Sequence, residues 1–234
     1  MKKNIKIPFL FKELLPKRFF DLEKCLCADL FLMEEPVWET LKLLKSYLKS
    51  KILGKIKCDI LPSVTLINAN QITIEEGSVI EPGAYIEGPC KIGRKCIIRH
   101  GAYIRSFVLI GEECVVGHGS EIKHSILLNH ARASHFNYVG DSIIGNGVNL
   151  GAGAICANVR LDKKKITIKI EKEYIETEMQ KMGAIVGDGS QIGCNSVINP
   201  GVLLRKKTIS KPCVSIQRSN IVNNAKSFNQ YPSS

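Results

Sequence analysis

From Ile74 onward every sixth residue is aliphatic: Ile74, Ile80, Ile86, Ile92, Ile98, Ile104, Ile110, Val116, Ile122 and Leu128. An unbroken series of that length is expected by chance on the order of once in a million chains. A second column, four residues further on, is mostly small: Ser78, Ala84, Cys90, Cys96, Ala102, Val108, Cys114, Ser120. Gly77, Gly83, Pro89, Gly101 and Gly119 stand between. A period of six is neither the helical 3.6 nor the simple alternation of one strand. It predicts short strands joined by tight corners, with a large aliphatic side chain filling the interior of each face and a small residue at the bend. Stacked coils of this kind pair their strands in parallel and bury one continuous column. After Ile122 the better register runs through Leu127, Ala133, Val139, Ile144, Leu150 and Cys156, with two five-residue steps. It breaks over 157–183 and resumes at Val186, Ile192, Ile198 and Leu204, and the tail with Ile209, Val214 and Ile216 is less regular. Residues 59–218 therefore read as the coil domain and 219–234 as a C-terminal tail.

Residues 1–58 lack the period and read as a small α-helical region. Glu35-Pro36-Val37-Trp38 is a helix start with proline in the first turn, and Val37, Leu41, Leu44 and Leu48 follow at helical spacing. Phe19 to Met33 is expected to form a second helix. These apolar faces are expected to cap the open end of the solenoid, with docking of a partner as the alternative. In the interruption, Ile166, Ile168 and Ile170 alternate with Thr167 and Lys169 after the basic run Lys163-Lys164-Lys165. That pattern predicts a protruding basic hairpin, either a carrier of function or a solvated surface element.

Composition adds to this picture. Aromatic residues make up 6% and glycines number 19, which favours short strands and corners over a helical bundle. No apolar run approaches the length of a membrane span, and the apolar stretch Ile7–Phe11 is cut by Lys12 and Glu13, too short for a signal-peptide core. The nine cysteines are scattered, without a Cys-x-x-Cys pair; Cys25 and Cys27 are too close for a usual zinc pair. Reduced thiols and a cytoplasmic location are expected. Cys90, Cys96 and Cys114 then serve as small inward side chains. The formal charge of +11 suits a polyanion. The basic residues are spread, with no aromatic-interleaved cluster to stack bases, so nucleic acid is not the expected partner and a small polyanionic substrate is.

The chemistry concentrates in Glu121-Ile122-Lys123, Ser134-His135-Phe136-Asn137-Tyr138-Val139-Gly140-Asp141, Val148-Asn149-Leu150-Gly151-Ala152-Gly153 and Ala157-Asn158-Val159-Arg160-Leu161-Asp162. These ordered motifs resemble the acetyltransferase half of the bifunctional sugar-1-phosphate nucleotidylyltransferase/acetyltransferases, and the resemblance covers about residues 70–205. It implies an all-β, left-handed parallel β-helix of the hexapeptide-repeat kind, a homotrimer with sites between subunits, acetyl-CoA as cosubstrate and glucosamine-1-phosphate as acceptor. His135 matches the general base that takes a proton from the sugar amine, a role that suits an imidazole titrating near neutrality. Arg99 and Lys123 match contacts to the substrate phosphate, and two fixed cations suit a dianion. Tyr138, Asn149 and Asn158 match residues that orient the sugar, and Lys164 a lysine near its phosphate. Ala152 matches an alanine beside the thioester, with a backbone N–H around Gly151–Gly153 expected to stabilise the developing oxyanion. Ala184, Arg205 and Arg218 are further coenzyme candidates. Two positions depart from the bacterial pattern: Val159 replaces a tyrosine and Asp188 a serine. The Gly-x-Gly-x-Arg phosphate loop of the nucleotidyltransferase half occurs nowhere in these 234 residues, so pyrophosphorylase activity is not implied for them.

Three alternatives stay open. The acceptor is another amino sugar or sugar nucleotide; or the chain is a non-catalytic regulatory or assembly partner of a separate nucleotidyltransferase; or it is a zinc enzyme like the γ-carbonic anhydrases. In the last, His130 and His135 give the His-x4-His spacing, with His100 or His118 as third ligand.

Overall fold

The computed structural model describes residues 11–23, 25–170 and 173–217. Its body is a parallel β-solenoid with three faces. Face I has eight strands, from Thr65–Ile67 to Ser215–Ile216; face II has seven, from Ile72–Ile74 to Val202–Leu204; face III has six, from Val79–Ile80 to Gln191–Ile192. Strands stack in parallel on each face, with partners one coil apart: Tyr85 with Tyr103, Cys90 with Val108, Ile97 with Val115. The aliphatic series, including Ile74, Ile92, Ile110, Leu127, Val139, Leu150 and Ile198, lies inside and is fully or almost fully buried. Cys90, Cys96, Cys114 and Cys156 share that interior, and all nine cysteines are free. Burial alone pushes the Cys90 thiol up to about 12, so this thiol is inert packing. In the last coil Ile209 is exposed, and Ser210 takes the interior side.

The five-residue steps have a structural cause. Both fall at the corner between faces I and II, where Lys123–Ser125 and Gly140–Ser142 turn with one residue fewer than the corners before them. His124 and Asp141 adopt left-handed φ values of 44° and 48° there. On the next coil the same corner emits the insertion, which closes where the Met182 N–H donates to the Asn158 carbonyl.

The N-terminal region differs from the expectation in two respects. Among the described residues Phe11 and Lys12 are helical and one complete helix is present, α1 (Glu39–Ser50), with Leu41, Leu44 and Leu48 buried. No helix spans the described residues of 19–33. The hydrogen bonds there step by three residues, as in Cys25 to Leu22, Ala28 to Cys25 and Phe31 to Ala28, giving turns and one 3₁₀ segment, Ala28–Leu30. The preceding residues bond to the solenoid instead of to themselves: Asp188 N–H donates to the Phe19 carbonyl, and Asp21 N–H donates to the Asp188 carboxylate.

The helix of this region does not lie at the solenoid's end, where only the region's last residues, with Ile56 bridged to Ile74, pack on the interior beside Ile60 and Leu66. It covers face II from outside. Leu109, Ile126, Ile143, Ile185 and Leu203 form an outward apolar ladder on five successive coils. Together with Trp38, Leu41 and Leu44 they make a second core. The insertion's hairpin, Thr167–Ile170 with Glu173–Glu176, is antiparallel as its alternation predicts. Its apolar side is not solvated: Ile166, Ile168 and Ile170 are buried in this second core. The expected tail, 219–234, lies outside the described residues.

Candidate active site

Two groups of polar side chains stand on faces I and III, which the jacket over face II leaves open. The first is at the corner between faces III and I. His100, His118, His135 and Ala152 occupy one register on successive coils, the Phe136 N–H bonding to His118 and the Gly153 N–H to His135. Coils are about 4.8 Å apart, so His135 and Ala152 are immediate neighbours. His135 is exposed, and its imidazole has no hydrogen-bond partner among the described residues. Its backbone N–H donates to the Asn137 Oδ1, and the Asn137 amide donates to the carbonyls of Gly151 (2.8 Å) and Ala154 (3.3 Å). Asn137, 1% exposed, thus ties the histidine to the Gly151–Ala154 turn. It lies inside the quoted motif, yet nothing in the pattern singles it out; only its burial does. Of the three N–H groups over Gly151–Gly153, those of Gly151 and Gly153 join the coil ladder. The Ala152 N–H has no partner among the described residues. Arg99, half-buried and without an ion pair among those residues, sits two coils from Ser134 at the same corner. Asn149 is on face III, in register with Arg132 and Gln191.

The second group lies across face I. Asp141, 5% exposed, accepts from Lys123 Nζ (3.0 Å), from His124 Nδ1 (2.9 Å) and from Asn158 Nδ2. Burial alone pushes its carboxyl up, but the bonds from His124, Asn158 and Lys123 outweigh it and hold the pKa below the usual value. Tyr138 leans along the same face toward Asn158. Its phenol is pushed up by burial and by the charges of Glu121 and Asp141, so it remains a neutral donor. The space a β-carbon would take at Gly140 is filled by the Tyr138 hydroxyl and the Asn158 amide, which explains a glycine at a position without positive φ. Lys164 is exposed on the insertion, its N–H on Asp162 Oδ1.

The structure thus gathers Lys123, Tyr138 and Asn158 in one place and His135, Ala152 and Arg99 in another, with Asn149 round the corner. Two expected residues join neither. Ala184 is completely buried in the solenoid interior, its N–H on Ser142 Oγ. Arg205, 6% exposed, is enclosed by the N-terminal segment, paired with Glu13 and stacked on Phe19 at 4.7 Å. The apolar surroundings lower its pKa to about 10. Neither side chain reaches the two polar groups above, and Arg218 lies outside the described residues. The histidines also diverge. His130 lies in the turn before, and His135 ends, the face III strand Arg132–His135, so they stand at different corners. His100 and His118 stack in parallel at 5.4 Å with Nδ1 on backbone carbonyls. Among the described residues no three His, Cys, Asp or Glu side chains are placed to hold a metal.

A family model described as the GMPPB C-terminal domain matches residues 86–180. A bifunctional GlmU protein of Methanococcus maripaludis is 35% identical over 172 residues, covering 74% of this chain and 41% of the relative. A bifunctional sugar-1-phosphate nucleotidylyltransferase/acetyltransferase of Sulfurisphaera tokodaii is 36% identical over 77 residues, 33% of this chain and 19% of that protein. The chain is thus similar to part of the bifunctional GlmU proteins. The chain spans less than half the length of these two relatives. The strand pairing gives the predicted parallel β-solenoid. A hexapeptide transferase family protein from Anaplasma phagocytophilum shares 16% identity over 66% of this chain and 75% of its own, at a TM-score of 0.22, and the fold rests on the strand pairing instead. The stretch 86–180 contains every predicted site residue except Ala184, Arg205 and Arg218. No helix among the described residues is long and apolar enough to cross a membrane.

Proposed function

We propose that this GlmU relative is an acyltransferase that moves the acetyl group of acetyl-CoA to the amine of glucosamine-1-phosphate, as a cytoplasmic homotrimer. The observation that carries the reading is the pairing of an exposed, unengaged imidazole at His135 with the free N–H of Ala152 on the adjacent coil. An ammonium cannot attack a thioester, so one side chain must take its proton, and His135 is free to do so. As the amine adds to the carbonyl carbon, negative charge grows on the thioester oxygen. A fixed N–H beside the base, here Ala152, stabilises that charge without reorganising. Collapse of the adduct expels the coenzyme A thiolate, which takes up the proton. Lys123 and Arg99 supply cations for the sugar phosphate, with Lys164 a third on the insertion. Tyr138, Asn149 and Asn158 orient the ring, so much of the rate enhancement arises from positioning. Because these groups lie on two faces, a neighbouring subunit completes the cleft.

The test follows release of free coenzyme A thiol while acyl donors and amino sugars are varied. Acetyl-CoA with glucosamine-1-phosphate is expected to give turnover. His135→Asn is expected to lower kcat by about 10²- to 10⁴-fold with acetyl-CoA affinity retained. Equal rates for variant and wild type would remove His135 as the base.

A further inference from the structure

We propose that Asp141 is a positioning residue that sets Lys123, His124 and Asn158 for the sugar, and that His124 is a further contact to that sugar. The inference deepens the reading above and rests on its acceptor site. Three side chains converge on the Asp141 carboxylate from the coils on either side of it: Lys123 and His124 from the one before, Asn158 from the one after. A carboxylate held in its ionised form only accepts, so His124 Nδ1 carries a hydrogen. In the neutral ring Nε2 is then the acceptor, facing away from Asp141. It is the arrangement by which a buried acid fixes the tautomer and angle of a working imidazole.

Two further features support the assignment. The polar cluster occupies the one corner at which the repeat loses a residue on two coils and opens into the insertion on the third. Nothing about interior packing asks for that, since Leu127 and Ile144 are as deeply buried as their counterparts in six-residue corners. The shortening brings His124 directly over Asp141 at adjacent left-handed positions. Second, the charges are arranged for an anion-bearing, hydroxyl-rich ligand. Asp141 is consumed by its three donors, Glu121 is paired with Arg105 at 2.9 Å, and Lys45 lies over the Phe107 ring that meets the edge of His124. Lys123 and the His124 Nε2 therefore form adjacent cationic and accepting points, for a phosphate oxygen and a sugar hydroxyl respectively.

Asparagine separates the two roles and tolerates the left-handed backbone at both sites. Asp141→Asn keeps the shape and removes the charge that gathers the donors. His124→Asn keeps a donor toward Asp141 and removes Nε2. Titration calorimetry with glucosamine-1-phosphate, on the full chain, is expected to show affinity about tenfold or more weaker in each variant. Coenzyme A affinity should be unchanged. Nitrogen-detected NMR is expected to report an Nδ1–H tautomer for His124 in the wild type and its loss in Asp141→Asn. If the wild type binds the sugar phosphate and both variants bind it equally well, the inference is overturned while the proposed function stands. If the wild type binds it, the variants weaken binding and no transfer occurs, the transferase reading fails and this one survives. If the wild type does not bind the sugar phosphate, both fall.

Discussion

Adding one methyl group at Gly140 tests the acceptor site with little disturbance to the fold. A β-carbon built there lies 2.6 Å from the Tyr138 hydroxyl and 2.8 Å from both the Asn158 amide nitrogen and the Tyr138 ring. The backbone of Gly140 is not left-handed, so alanine adds no torsional penalty. Ordinary contact requires the two polar groups to retreat by roughly 0.5–1 Å. Both are side-chain tips, able to move outward. The movement removes the Asn158 bond to the ionised Asp141, a charge-assisted bond of about 1.5–3 kcal/mol. If the sugar is oriented by these groups, that loss appears as a KM for the acceptor raised about 10- to 100-fold, with the KM for acetyl-CoA unchanged. Melting temperature should fall by no more than about 4 °C, since strain at a yielding surface site costs about 1 kcal/mol. Gly147→Ala is the matched control. Nothing lies within 4 Å of its β-carbon, but its φ is 61°. It should lose about 1–2 kcal/mol of stability through the left-handed backbone and keep the acceptor KM. Steady-state kinetics and calorimetric melting on both variants decide the matter. An unchanged acceptor KM in Gly140→Ala would show that the Tyr138–Asn158 surface does not orient the sugar.

Other outcomes follow from the packing and the charges. Leu44→Ala, which empties a fully buried position between α1 and face II, should cost about 2–5 kcal/mol, read as a lower urea midpoint. The Asp141 carboxyl has a lowered pKa in the fold, so its stabilising contribution is present above the ordinary carboxylate range and is lost as pH falls through the lowered value. The stability gap between wild type and Asp141→Asn should therefore be constant near neutrality and close below about pH 4; a gap that widens on acidification would reverse the sign. Arg205 is a base whose pKa is depressed to about 10, so the fold bears the cost of its charge below that pH. Since Glu13 retains Arg18 at 2.8 Å, Arg205→Met is expected to melt at or above the wild-type temperature, and a large drop would show that the ion pair stabilises the segment.

The coil was legible because its signal is translational: each inward aliphatic repeats at a fixed step, so Ile74 through Ile122 reveal the faces without tertiary information. The register shift through Leu127 and Val139 was legible for the same reason. What covers face II was not. Ile126 and Ile143 look like ordinary strand residues, and only coordinates show them matched to Leu41 and Leu44 from a distant segment. The stretch 19–33 has helix-like composition, yet Phe19 and Asp21 find their hydrogen-bond partners on Asp188, more than 160 residues away. At the candidate site, His135 and Tyr138 came from local motifs. Ala184 and Arg205 came from weaker similarity; Ala184 is buried inside the coil and Arg205 under the N-terminal segment, and neither environment shows in the residues around it in sequence. Asp141 was visible as a letter in a motif, but its role depends on Lys123 and Asn158, each about one coil away.

The outward apolar ladder on face II has a consequence for how the molecule comes apart. A bare solenoid touches only its neighbours along the axis, so its terminal rungs can peel away singly. Here one strap of helix and hairpin is glued across five rungs from Leu109 to Leu203, and no end rung beneath it can leave without lifting the strap from the others. A nearest-neighbour stack has thereby become a single cooperative block, whose amide protons under the strap should exchange together.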